Sequence, residues 1–118
     1  MTNARRGDVV WVGFPTRDVR GWKRMPAVLL KEPEVAARFG NALLVPISSR
    51  TDLGGPTRIL VRAGMLEAKE MGLVEDSRIF IDEVGGVPSA WVGQRVGRCP
   101  FIREIDGVLK ALLRFLTA

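Results

Sequence analysis

The sequence predicts a mainly β fold with a C-terminal helix: a compact barrel or strongly curved sheet with the helix packed on it. Three observations predict it. Short runs rich in β-branched and aromatic residues recur along the chain, separated by Gly, Pro and polar clusters. Only the last segment spaces its apolar residues as a helix does. The 118 residues, 47% of them hydrophobic, suit one domain (1–118) with its own core.

The elements follow in order. Residues 7–14 (GDVVWVGF) read as a first strand, bounded by Pro15. Residues 15–23 are polar and carry Gly21 and Trp22, which marks an exposed basic loop. Residues 26–30 (PAVLL) form a short buried strand. Pro26 has no amide hydrogen, so it is expected to open that strand or to lie on an edge. Residues 32–40 allow one helical turn with Gly40 as a stop. Residues 42–47 (ALLVPI) are a third strand interrupted by Pro46, followed by a loop over 48–56 (SSRTDLGGP). Residues 58–62 (RILVR) form a fourth strand, and 63–72 a turn and a short helical element. Residues 78–82 (RIFID) form a fifth, with Arg78, Phe80 and Asp82 on one face and Ile79 and Ile81 on the other. Residues 92–98 (VGQRVGR) are a sixth, more polar strand. Over 101–116, Ile105, Val108, Leu109, Leu112 and Leu116 make one apolar helix face, weakened somewhat by Gly107.

Composition excludes several chemistries. The chain has no histidine and no tyrosine, which removes serine–histidine catalysis and makes a zinc site or other metal centre unexpected. Its glycine pairs match no phosphate-binding loop. A lone cysteine, Cys99, allows no intrachain disulfide. Residues 1–8 are polar and basic, and no apolar run approaches the ~20 residues of a membrane helix. A cytoplasmic protein with no membrane association and no cofactor is expected. The net charge is +5 and the pI about 10.3. Residues 1–24 hold Arg5, Arg6, Arg17, Arg20, Lys23 and Arg24 against Asp8 and Asp18. That local excess points to an anionic partner (RNA, DNA or an acidic protein) or to a solvated basic surface.

Three stretches, in order, resemble one family. Arg6-Gly7-Asp8-Val9-Val10-Trp11-Val12 is similar to an opening R-G-D-[IV]-[VW] strand. Residues 23–30 (KRMPAVLL), followed by Val45-Pro46-Ile47-Ser48-Ser49, resemble K-R-P-A-V-V-[LI] and [VI]-P-[IV]-T-S. Ile81-Asp82-Glu83-Val84 and Val92-Gly93-Gln94-Arg95-Val96-Gly97 resemble D-Q-[IV]-R-T and L-G-[KR]-R-[IL]-G. R-G-D and P-A-V occur singly by chance; their joint order and spacing carry the likeness. The chain thus resembles the MazF/PemK (Kid-like) toxins of type II toxin–antitoxin systems. The resemblance implies an SH3-like barrel of the MazF/Kid/CcdB type, a homodimer, and a cognate antitoxin that occupies the RNA site. It also implies sequence-specific, metal-independent cleavage of single-stranded RNA (mRNA), leaving a cyclic phosphate and a 5′-hydroxyl.

Such cleavage must deprotonate a 2′-hydroxyl, stabilise a phosphorane and protonate the leaving oxygen, and without histidine it falls to arginine, carboxylate and hydroxyl groups. In the family, the arginine before P-A-V and the threonine of P-[IV]-T-S carry much of the site. Here Met25 and Ser48 stand at those positions, Glu83 replaces the glutamine, and Gly85-Gly86 replace R-T. The candidate catalytic residues are Arg24, Ser48 and Asp82. Alternation along a strand turns Arg24 away from the position of Met25 unless a bulge beside Pro26 re-aims it; Arg20 or Lys23 reaching from the loop is the other route. Ser48 reads equally as a turn residue, and Asp82 as a turn acceptor. The candidate RNA contacts are Arg17, Arg20, Trp22, Lys23, Ser49 and Arg50, with Trp22 stacking on a base or anchoring its loop. Trp11 and Trp91 read as packing or interface. Three functions compete: an endoribonuclease toxin; a catalytically impaired scaffold that binds antitoxin or nucleic acid without cutting; and a gyrase poison of the CcdB type, against which the R-G-D and P-A-V segments speak.

Overall fold

A computed structural model describes residues 4–15, 22–31 and 40–118. Arg17, Arg20 and the helical turn expected over 32–39 lie outside the described residues, as does the Trp22 side chain.

Strands β1 (Asp8–Pro15) and β2 (Trp22–Leu29) pair antiparallel without a break, from Val9↔Val28 to Pro15↔Trp22. β2 therefore begins earlier than its apolar run, at Trp22, and takes in Lys23 and Arg24. These exposed residues hold strand conformation through their ladder to β1 rather than through burial. β3 (Asn41–Ser48), β4 (Arg58–Val61), β5 (Ser77–Phe80), β6 (Gly85–Pro88) and β7 (Val92–Arg98) complete the sheet. The order is β4-β5-β3-β2-β1-β7, with β6 also on β3. The result is a strongly curved, mainly β fold with a C-terminal helix, the class that the sequence predicts.

Two features depart from the sequence reading. The fifth strand stops at Phe80, and Ile81–Glu83 form a 3-10 turn, so Asp82 is not a strand residue. The Gly85–Pro88 stretch, which carries the Gly85-Gly86 pair, is an additional strand. Both follow from β3. Between Ile47↔Ile79 and Leu44↔Gly85, β3 advances three residues while the β5–β6 side advances six. The three extra residues are the turn.

The two strand prolines fit at ladder ends. The Gly7 N–H donates to the Leu29 carbonyl on the β1 side, and the Leu30 N–H donates to the Leu43 carbonyl on the β3 side. Alternation turns the Pro26 nitrogen toward β3, where the β2–β3 ladder ends at Ala27↔Pro46. By the same alternation the Pro46 nitrogen faces the 3-10 interruption. Neither missing N–H costs a ladder bond. Pro26 thus lies inside a central strand, yet on a locally unpaired edge.

The sheet buries side chains on both faces. Val9, Val28, Val45, Ile47, Ile79 and Ile81 pack with Met71 and Ile105 on one side. Val10, Val12, Ala27, Leu29, Ala42 and Leu44 pack with Val87 on the other. Helix α1 (Leu66–Met71) lies against β7 and ends at Gly72, whose φ of 73° stops the helix in a left-handed cap. A Cβ at Gly97 would come within 2.4 Å of the Glu70 carbonyl oxygen, so the approach of α1 to β7 requires glycine there. Helix α2 (Ile102–Thr117) buries Ile105 and half-buries Val108, Leu109 and Leu112. Leu116, placed on that face by its spacing, is 77% exposed, because the last turns of α2 run past the sheet.

The R-G-D residues knit the start of the chain to the sheet and helix. Arg6 pairs with Asp106 of α2 and donates to the Leu30 carbonyl at 3.1 Å. Asp8, buried, accepts from the Arg5 N–H at 2.8 Å, from Arg98 at 3.1 Å and from Arg95 at 3.2 Å. No helix among the described residues is long and apolar enough to cross a membrane.

Candidate nucleic-acid interface

Ser48 ends β3 and pairs with Arg78 of β5. Continued past Ala27↔Pro46, the β2–β3 register sets Met25 on the face of Ser48 and Arg24 on the opposite one. The unbroken β1–β2 register leaves no bulge at Pro26 to re-aim Arg24. Instead the Arg24 guanidinium lies 4.9 Å from the centre of the Trp11 ring. Lys23 and Arg24 are both exposed. Arg24 and Ser48 thus lie on opposite faces of the sheet.

What gathers instead is the loop from Ser49 to Thr57. The Ser48 hydroxyl accepts the Arg50 N–H at 3.1 Å, which starts the loop as a serine turn. Ser49 is exposed, and its carbonyl accepts the Thr51 N–H at 2.9 Å. The Arg50 side chain, also exposed, forks onto Asp52 through two bonds of 3.1 Å. That contact raises the pKa of Arg50 and holds the Asp52 carboxyl below its ordinary range. Arg58, at the start of β4, forks onto Asp82 through two bonds of 3.0 Å. Its guanidinium stacks 3.9 Å from the centre of the Phe80 ring and reaches Glu83 at 3.5 Å. Thr57 adds a hydroxyl bond to Asp82 at 3.1 Å.

The Asp82 carboxyl is held below its usual range, chiefly by its hydrogen bonds from Arg58 and against the penalty of partial burial. A carboxylate so held is ionised near neutrality and is a weak base. Its geometry is that of a clamp on Arg58. Arg78 donates to the Thr51 carbonyl at 2.7 Å and to the Arg58 carbonyl at 3.4 Å, and pairs with no carboxylate among the described residues. Arg58 and Arg78 were legible in the sequence only as strand ends. Their one available signal was their place at the starts of the two strands that follow the S-S-R-T-D loop. Among the described residues no three Asp, Glu or Cys side chains group as metal ligands. Burial pushes the Cys99 thiol up to about 11, so it is no nucleophile.

Fold and site define a small basic β protein that presents a strand-end hydroxyl and a loop carrying Arg50 and held by Arg58 and Arg78. The model of the PemK-like, MazF-like toxins of type II toxin–antitoxin systems matches residues 5–116, and the chain belongs to that family. No curated protein matches the sequence significantly. Among solved structures, MazE–MazF from Deinococcus radiodurans superposes with a TM-score of 0.71 at 22% identity, over 93% of this chain and 95% of that one. The Mycobacterium tuberculosis toxin MazF-mt6 gives 0.62 at 18%, over 88% and 89%. An endoribonuclease in complex with its cognate antitoxin, from a mycobacterial species, gives 0.63 at 16%, over 93% and 94%. At these identities the likeness is one of fold.

Proposed function

We propose that this toxin is a metal-independent endoribonuclease that cuts single-stranded RNA at particular sequences. The observation that carries the reading is the set of three guanidinium groups, Arg50, Arg58 and Arg78, around a loop that starts at the Ser48 hydroxyl. In the reaction the 2′-hydroxyl gives its proton to water as its oxygen attacks phosphorus, the bond to the 5′-oxygen breaks, and the departing oxygen takes a proton from water, so that none is gained or lost overall. The products are a 2′,3′-cyclic phosphate and a 5′-hydroxyl. Charge builds on the phosphorane, and the Arg50 guanidinium beside it lowers its energy. Ser48, Ser49 and Arg50 meet the scissile phosphate, which takes the place of Asp52 on Arg50. Lys23 and Arg24, with Arg17, Arg20 and Trp22 of the preceding segment, hold the flanking strand. Asp82 serves by keeping Arg58 in place.

The same reading includes a homodimer and a cognate antitoxin partner, in a cytoplasmic setting. The resemblance of the fold to MazE–MazF, and to an endoribonuclease solved with its antitoxin, supports the partner. A second reading, a scaffold that binds antitoxin or RNA without cutting, is favoured by Met25, which supplies no cation on the face of Ser48.

The test is incubation of the purified, antitoxin-free protein with a long single-stranded RNA in EDTA, with mapping of the new ends. Cuts at a recurring sequence that leave 5′-hydroxyl ends are expected. A folded protein that leaves varied RNAs intact would sink the nuclease reading. Cutting gained by Met25→Arg would then trace the loss to that side chain.

A further inference from the structure

Resting on that nuclease reading, we infer that Arg78 and Arg58 are positioning residues: their guanidinium groups tie the 49–57 loop to β4 and β5, and so fix the aim of Ser48 and Arg50. Besides the Arg50–Asp52 fork, the loop has few bonds of its own. The Thr51 N–H bonds to Ser49 and the Leu53 N–H to Arg50, at 2.9 and 3.2 Å. The Arg50 N–H bonds to the Ser48 hydroxyl at its start, and the Arg58 N–H to the Gly55 carbonyl and the Ile81 N–H to the Thr57 carbonyl at its end, each at 3.1 Å; between these, arginine side chains tie it to the sheet. Arg78 donates to the Thr51 carbonyl and Arg58 to the Leu53 carbonyl, at 2.7 and 3.2 Å.

Each anchor is itself held. Arg58 is fixed by Asp82 and by the Phe80 ring, and its side chain is only 20% exposed. Arg78 is half-buried and spans from Thr51 to the Arg58 carbonyl. The fork geometry matters as much as the charge, since one guanidinium serves two carbonyls in fixed directions. Gly54 lies flat over this arrangement: a Cβ there would come within 3.1 Å of the Arg78 guanidinium. The chain leaves that position empty so that the tether can close.

The test compares wild type with Arg78→Ala, Arg78→Lys and Gly54→Ala. It measures amide hydrogen exchange at Thr51 and Leu53, and kcat and KM for RNA cleavage. Arg78→Ala should speed exchange at both amides and lower kcat about tenfold or more, with KM within about twofold, as a misaimed group does. Arg78→Lys keeps the charge and loses the fork, and should fail to rescue either readout. Gly54→Ala leaves every anchor in the sequence and displaces only the guanidinium, so it should move both readouts in the same direction by less. Unchanged exchange in Arg78→Ala, or full kcat in Arg78→Lys, overturns the inference. If the wild type cuts no RNA, the nuclease reading falls and the positioning role with it, while the exchange data still decide whether the loop is tethered.

Discussion

The Arg58 fork keeps Asp82 ionised, and that sets a sign for the pH dependence. Its carboxyl is depressed in the folded protein, so the pair stabilises fully above the ordinary aspartate value of about 3.9 and loses that contribution as pH falls toward the folded value. Asp82→Asn should therefore lower Tm at neutral pH and flatten its fall below about pH 4. A pH-resolved melting series checks this; parallel curves for the two proteins would refute it. Cys99 moves the other way. Its buried thiol, at about 11, should react with a disulfide reagent at neutral pH only as fast as the protein opens, and should label fully in denaturant. At this scale the sequence showed which residue types carry the chemistry but not their neighbours. Ser48 was legible from its place after a strand. Asp82 was placed on a strand face because I-F-I-D continues a period of two. Nothing near residues 78–82 announces that the strand paired with them lacks an N–H at Pro46, across from the point where that period breaks.

Among the elements, β1 was legible from its β-branched run and α2 from its helical spacing, which burial follows as far as Leu112. β6 was not, since Gly85 and Gly86 have little strand propensity and gain their conformation from pairing with β3. The start of β2 was hidden because charged residues there are held by β1 alone. Packing between elements gives two stability predictions. Gly97→Ala forces α1 away from β7 and should cost about 1–3 kcal/mol, the range of overpacking. Ile105→Ala empties a fully buried site where α2 meets the sheet, and should cost about 2–5 kcal/mol. Leu116→Ala, on an exposed turn of the same helix, should stay within about 0.5 kcal/mol. Urea titrations of the three variants rank them; a Leu116 cost equal to that of Ile105 would mean that α2 is packed along its whole length in solution.

The molecule as a whole carries +5 at neutral pH, and its affinity for a polyanion should be tuned by salt. Binding of a single-stranded oligonucleotide should weaken linearly on a log–log plot against salt, with a slope of about −0.7 for each phosphate neutralised. Arg50→Ala should shallow that slope by about 0.7, if Arg50 exchanges Asp52 for a phosphate. An unchanged slope would remove Arg50 from the interface. Charge sign was visible in composition. The arrangement around the 49–57 loop was not, because Arg58 and Arg78 reach it only through the pairing of β3, β4 and β5.

Pro46 also acts as a stop against a competing alignment. With an amide at that position, β3 would offer a donor where the 3-10 turn now sits, and β5 and β6 could zip into one uninterrupted strand. That alignment would shift the segment after Phe80 and draw Asp82 away from Arg58. The absent hydrogen thus withholds one donor from the uninterrupted alignment and leaves the looped-out turn without a competitor for that bond.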